Sequence, residues 1–136
     1  MKTWGDDLRV DALRGYDRAA FDRCIARVTE AASRFGAALE SGDPADLVAA
    51  VRAHHDAMAA LGERSGAPIV TEPLARLAAE ARPMGAAVKP SGAGGGDVSI
   101  VVAEDEDALD AVCSLAAGMG FARLTMDVDA DGVVLE

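Results

Sequence analysis

Hydrophobic residues recur at helical spacing through the first half of the chain. From Asp17 onward, apolar side chains follow one another at intervals of three or four, which places them on one stripe of a helix. This first stripe consists of Phe21, Ile25, Val28, Ala32, Phe35 and Leu39. Asp43 and Pro44 then have the character of an N-cap and a first helical residue. The second stripe consists of Leu47, Val51, His54, Met58 and Leu61. Two long helices with a short connection predict an antiparallel pair.

The second half alternates between strand and helix patterns. Thr71 and Pro73 begin a third helix over about residues 72–82. Residues 86–89 and 98–103 predict two strands, and the acidic residues 104–107 begin a helix, because negative charge is favourable at a helix N-terminus. Residues 122–128 and 133–135 predict two more strands around a turn. This order predicts an α+β fold: an antiparallel sheet of about four strands with helices packed on one face.

Residues 1–16 carry two competing patterns. Lys2 to Gly5 fit a short edge strand. Asp6 or Asp7 fits the cap of a helix that carries Leu8, Leu13 and Tyr16. We expect residues 1–136 to form one domain, with this N-terminal segment as its least certain part.

Composition narrows the classes of partner. The 136 residues are 51% hydrophobic, and the net charge is -10. That charge argues against nucleic acid and anionic membranes, which select basic patches. No apolar run approaches the ~20 residues of a membrane helix. Cys24 and Cys113 fit no metal or redox spacing, which together with the absence of an apolar leader predicts a cytoplasmic protein.

The candidate chemistry lies in the segment Lys89-Pro90-Ser91-Gly92-Ala93-Gly94-Gly95-Gly96-Asp97. Glycine-rich backbone can turn successive N–H groups toward one anion, usually a phosphate. Ser91 adds a hydroxyl, Lys89 a charge at the rim, and Asp97 a carboxylate at the exit of the loop. The segment lacks the Gly-Lys-Ser/Thr ending of a Walker A loop and the third glycine of a dinucleotide fingerprint. A flexible turn that binds nothing is the alternative interpretation.

The other polar motifs give weaker evidence for a functional site. His54 and His55 point about 100° apart on a helix and cannot share a metal, so we assign His54 to the core or an interface rather than to a ligand. Asp127 to Gly132 copies the first half of a calcium loop, but a hairpin turn explains the same residues. We assign no metal ligand and no catalytic residue.

The glycine-rich string resembles the third motif of the GHMP kinase superfamily. Its form here is similar to that of bacterial phosphomevalonate kinases, as are Gly66-Ala67-Pro68-Ile69-Val70-Thr71 and the closing segments Gly120–Leu124 and Gly132–Val134. All of these belong to the family's C-terminal domain, a ferredoxin-like variant. The resemblance implies that residues 89 and 91–97 contact phosphate or substrate.

The resemblance also implies that another polypeptide segment must supply the nucleotide-binding part of the kinase. Family members hold ATP and Mg²⁺ with a separate N-terminal domain, and no string like its nucleotide loop occurs in this sequence. We therefore expect the C-terminal half of a kinase, inactive without a protein partner: a separate N-terminal half or another copy. The implied substrate is a phosphorylated small molecule. The alternatives are a non-catalytic interaction or small-ligand-binding module descended from such a kinase, and a piece of a larger enzyme.

Overall fold

The structure, a computed structural model, describes residues 4–125. Five helices and two strands follow one another, with one 3-10 turn, Arg82–Met84, before the first strand. The helices are α1 (Trp4–Tyr16), α2 (Arg18–Ser41), α3 (Pro44–Ser65), α4 (Glu72–Ala81) and α5 (Glu106–Gly118), and the strands are β1 (Ala86–Pro90) and β2 (Ser99–Ala103). In this part of the chain, no helix is both long and apolar enough to cross a bilayer.

Helices α2 and α3 form the predicted antiparallel pair. The Asp17 carboxylate accepts from the Ala20 amide at the start of α2, and that of Asp43 accepts from the Ala45 amide at the start of α3. The buried face of α2 consists of Ala20, Cys24, Ala31 and Ala38. The predicted stripe lies beside this face, since Ile25 is 37% and Leu39 57% exposed. Small side chains bring two helix backbones close together, so they occupy the contact and the larger residues lie at its margin.

Within residues 4–125 the sheet has two strands, so the prediction of about four is not borne out. β1 and β2 pair antiparallel, with Ala86 opposite Ala103 and Pro90 opposite Ser99. The suggested edge strand at Lys2 to Gly5 is wrong, because Trp4–Tyr16 is a helix that places Leu13 in the core, 1% exposed. Residues 121–125 form no strand. The predicted strand residues 126–128 and 133–135, and the calcium-loop candidate at 127–132, lie outside the described residues.

Helices cover both faces of the sheet, so the prediction of one covered face is also wrong. Every residue of β1 is buried. Ala86 and Val88 belong to a cluster with residues of α4 and α5, whereas Ala87 packs with Val48 and Val51 of α3. Successive residues of a strand point to opposite faces. The complete burial of β1 is thus explained by helices on its two sides.

The outer edge of β1 is closed by side chains. Gly85 and Ser91 hydrogen-bond toward the β2 side, so the carbonyls of Ala86 and Pro90 point to the opposite edge. The Arg52 guanidinium of α3 donates to the Ala86 carbonyl at 3.0 Å and to that of Arg82 at 2.8 Å. Lys89 Nζ donates to the Pro90 carbonyl at 2.7 Å. These contacts satisfy backbone acceptors that a further strand would otherwise bind.

Replacing Arg52 by alanine is expected to lower the free energy of unfolding by about 2 kcal/mol, because two backbone acceptors lose a charged donor. Lysine at this position restores one donor and part of the loss. Urea denaturation measures both. Arg76→Ala is the matched control, because Arg76 is exposed and pairs with Glu80 on the same helix, and such pairs contribute about 0.5 kcal/mol. Equal losses at positions 52 and 76 would contradict the edge-closing role.

Candidate functional site

The glycine-rich loop connects β1 to β2 and is sharply bent. The Ser91 amide donates to the Val98 carbonyl at 2.9 Å and closes the base of the loop. Gly92, Gly94, Gly95 and Gly96 have φ angles of 66°, 84°, 97° and 94°. Residues with a side chain rarely adopt this left-handed region. The glycines are therefore required by the backbone path itself.

The loop rests on the connection between α3 and α4. The Gly95 amide donates to the Ile69 carbonyl at 3.0 Å. A Cβ at Gly94 would lie 2.3 Å from the Ile69 carbonyl oxygen, and one at Gly96 would lie 3.1 Å from Thr71 Cγ2. The segment 66–71 and the loop, which share the sequence resemblance, thus contact each other directly. Only glycine allows this approach.

Several loop amides are not used by the fold. Within residues 4–125, Gly92, Ala93, Gly94 and Gly96 donate no backbone hydrogen bond to another residue. A bent backbone with unspent N–H groups is the kind of structure that binds an anion. That these residues hold a phosphate stays a prediction.

A pocket of about 370 Å³ lies beside the loop, between α1, α2 and α3. Its walls are mainly aliphatic, and its polar groups are the loop backbone, one imidazole and one carboxylate. The lining residues are Val10, Asp11, Val28, His54, Met58, Leu61, Ile69, Gly92 and Ala93. The pocket joins two of the predicted loop residues to three helices that the sequence did not connect with them.

Lys89 lies beneath the loop rather than at its rim. Its residue is 7% exposed, and Nζ donates to the Pro90 carbonyl. Burial lowers the pKa of the Lys89 ammonium. Its charge also acts on His54 across the gap between β1 and α3. Lys89 therefore supplies positive charge to the loop from the protein interior, where screening by water is weak.

The remaining predicted residues are distributed along the loop. Ser91 is half-buried at its base, and Asp97 is exposed at its far end. Gly94 to Gly96 form the contact with Ile69 and Thr71. Neither Ser91 nor Asp97 lines the pocket. The structure thus brings Gly92 and Ala93 to the pocket and uses the other glycines to position them.

His54, which the helical stripe predicts to lie in the core or at an interface, lines the pocket. Burial and then the positive charge of Lys89 lower its pKa. The neighbouring His55 is buried, and desolvation lowers its pKa although Asp56 and the Val88 backbone partly oppose the shift. The sequence signal that could have placed His54 in the pocket is the stripe itself. His54 precedes Met58 and Leu61 at helical spacing, and all three residues line the pocket.

Metal binding finds no support among residues 4–125, where no group of three or more His, Cys, Asp or Glu side chains is placed to hold an ion. Cys24 is buried and Cys113 half-buried, and both are free thiols.

The lowered pKa values of both histidines predict that the free energy of unfolding decreases as the pH falls. Their folded-state pKa values lie below 6.5, so the unfolded chain binds more protons as the pH falls through that value. The free energy of unfolding is expected to be level above pH 7.5 and to decrease from about pH 6.5 downward. Urea denaturation at pH 7.5 and 5.5 measures the difference. His55→Gln should reduce the slope; a slope unchanged in this variant and in His54→Gln would contradict the assignment.

Residues 25–117 match the family described as GHMP kinases C terminal. The chain is 36% identical over 104 residues to a phosphomevalonate kinase of Streptomyces sp. (strain CL190), covering 76% of this chain and 27% of that protein. A solved structure, that of a Lin0012 protein from Listeria innocua, has the same fold, with a TM-score of 0.82 and 24% identity over 89% of this chain and 34% of that one. The chain therefore spans about a quarter to a third of the length of these proteins.

Proposed function

The chain belongs to the GHMP kinases as a C-terminal domain, and on that premise we propose that it is the C-terminal half of a small-molecule kinase similar to phosphomevalonate kinase. In this role it supplies the glycine-rich loop to a cleft that another polypeptide segment completes. The reaction is transfer of the ATP γ-phosphoryl group to a phosphorylated alcohol such as 5-phosphomevalonate.

One observation carries this proposal: next to a pocket, the bent loop presents the amides of Gly92 and Ala93, which have no backbone acceptor among residues 4–125. Phosphoryl transfer needs little covalent chemistry from the protein and depends on positioning and on neutralising charge. Backbone N–H groups orient phosphate oxygens, and the buried charge of Lys89 offsets part of the negative charge. The aliphatic walls exclude water from the carbon body of a small substrate. Ser91 and Asp97 complete the proposed contacts at the base and the far end of the loop.

ATP and Mg²⁺ are implied by the family. When bound, they supply the transferred phosphoryl group and the cation that neutralises it. The loop amides without an acceptor among residues 4–125 fit a phosphate group, so Gly92, Ala93, Gly94 and Gly96 are the residues that would hold one, while Gly95 holds the loop on Ile69. The described residues provide no cluster of carboxylates for Mg²⁺, and we assign this ion no ligand from residues 4–125.

A partner follows from the proposal. The N-terminal portion of the kinase must supply the nucleotide loop, either as a separate chain or as a further part of the same protein. Another copy of this chain stays the alternative partner that the sequence predicts. The free thiols of Cys24 and Cys113 are compatible with a reducing cytoplasm, where we place the protein.

The test has a binding part and a turnover part. Isothermal titration of the chain with 5-phosphomevalonate and with ATP–Mg²⁺ should give heat from at least one ligand. Gly92→Val should weaken it, because this substitution places a side chain on the pocket wall. Gly118→Val, on α5 and away from the pocket, is the control. Addition of the N-terminal portion of the Streptomyces relative should then give ADP formation that depends on 5-phosphomevalonate.

The possible results separate the two candidate functions. Ligand heat without turnover in the reconstituted mixture favours a small-ligand-binding module descended from a kinase. No heat with any ligand, together with a stable homodimer in sedimentation, overturns the kinase proposal in favour of an interaction module.

A further inference from the structure

The imidazole of His54 has one enclosed nitrogen without a partner. Nδ1 is buried, and no hydrogen bond to it is formed by the described residues. Buried polar atoms are nearly always hydrogen-bonded, so such an atom requires an explanation. His54 also lines the pocket that Gly92 and Ala93 share. Since Nδ1 is enclosed, Nε2 is the ring nitrogen that a molecule in the pocket can reach.

The surroundings determine which nitrogen carries the proton. An N–H group enclosed without an acceptor is rarer in proteins than an acceptor without a donor. The neutral ring therefore favours a bare Nδ1 and a proton on Nε2, directed to the pocket. Burial of the ring and, as the smaller cause, the positive charge of Lys89 lower the pKa of His54 and so disfavour a second proton. His54 is thus a neutral donor at neutral pH.

We propose that His54 contacts the ligand directly: its neutral imidazole donates the Nε2–H to an oxygen of a phosphate group held at Gly92 and Ala93. This inference rests on the proposed function and adds a side chain to the backbone site. No proton is transferred in this contact, since the donor keeps its hydrogen.

The rest of the pocket indicates the class of molecule that carries the phosphate. Met58, Leu61 and Ile69 present aliphatic surface, and the described residues that line the pocket include no Phe, Tyr or Trp side chain to stack on a base. The volume of about 370 Å³ lies near the lower end of small-molecule sites, about 300–1,000 Å³. A small phosphorylated aliphatic alcohol matches these walls better than a nucleotide.

Two isosteric substitutions test the contact. Glutamine places its amide nitrogen near the position of Nε2, and asparagine places it near that of Nδ1. His54→Gln should therefore bind 5-phosphomevalonate within about threefold of the unchanged chain. His54→Asn and His54→Leu should bind it about tenfold more weakly, the loss of about one such hydrogen bond. If the leucine variant does not fold, the comparison of glutamine with asparagine decides.

Nuclear magnetic resonance separates this inference from the proposed function. The chain has two histidines, so the ring nitrogen signals of His54 can be assigned with His55 as an internal reference. We expect the tautomer protonated at Nε2, and amide shifts at Gly92 and Ala93 when inorganic phosphate or 5-phosphomevalonate is added. A His54-dependent affinity for ATP–Mg²⁺ instead would keep the contact and assign the phosphate to the nucleotide.

Other results overturn the inference. If the loop amides shift but all three variants bind equally, the loop holds the anion and His54 does not touch it. A ring protonated at Nδ1 has the same consequence. If the amides shift with none of the three phosphate ligands, the proposed function fails together with the inference.

Discussion

Replacing Gly94 by alanine is expected to lower the free energy of unfolding by about 2–4 kcal/mol. Two causes act together. Gly94 has a φ of 84°, which disfavours any side chain, and its Cβ would lie 2.3 Å from the Ile69 carbonyl oxygen and 2.8 Å from Ile69 Cγ2. The loop or the α3–α4 connection must move to relieve the contact. Urea denaturation measures the loss, and the amide signals of residues 91–98 show the displacement.

Gly92→Ala separates the two causes. Gly92 has a similar φ of 66°, but no atom lies within 4 Å of its ideal Cβ. The free energy of unfolding of this variant is therefore expected to fall by the conformational cost alone, about 1 kcal/mol. Equal losses at positions 92 and 94 would show that the contact with Ile69 does not hold the loop in place.

Replacing Lys89 by methionine is expected to weaken phosphate binding at least about tenfold while leaving the free energy of unfolding unchanged or higher. Lys89 as a residue is 7% exposed, and the Pro90 carbonyl is the hydrogen-bond acceptor of its ammonium among the described residues. Burying a charge with few partners costs stability, and apolar replacements at such sites are often neutral or stabilising. The loss of the Pro90 contact offsets part of that gain. The ligand, in contrast, loses a nearby positive charge in a medium that screens poorly.

Arg23→Met is the matched control for Lys89→Met. It removes the same charge from an exposed position on α2, so a change in net charge alone would weaken binding equally in both variants. Titration with inorganic phosphate measures affinity, and urea denaturation measures stability. A Lys89 variant that unfolds more easily and binds as before would show that this lysine serves the fold and not the ligand.

Much of the helical structure could be predicted from local patterns. The stripes, the cap at Asp43 and the acidic start of α5 depend on residues close in sequence, and the structure confirms these helices. The buried face of α2 lies beside the predicted stripe. Alanine is only weakly hydrophobic, so it contributes little to the pattern, yet its small side chain permits close contact between helices. The two covered faces of the sheet depend on contacts between distant elements, which periodicity does not report.

The glycine-rich loop of the site could be predicted from the sequence, whereas the residues that form the walls of the pocket could not. Four glycines within residues 92–96 indicate an unusual backbone on their own. Their support by Ile69 and Thr71 joins segments more than 20 positions apart. The pocket adds α1, where Val10 and Asp11 had no local signal of function. The sequence predicts His54 to lie in the core or at an interface, because the same helical spacing is found whether a position faces packed side chains or a pocket.

The closed outer edge of β1 has a consequence for assembly. A strand that leaves its carbonyls unpaired can recruit a strand from another molecule, which is a common route to ordered aggregates. Here the guanidinium of Arg52 and the ammonium of Lys89 occupy those acceptors. Docking of a foreign strand would have to displace two cations, so this edge resists intermolecular sheet growth and fibril formation even though the strand itself is entirely apolar around its single lysine.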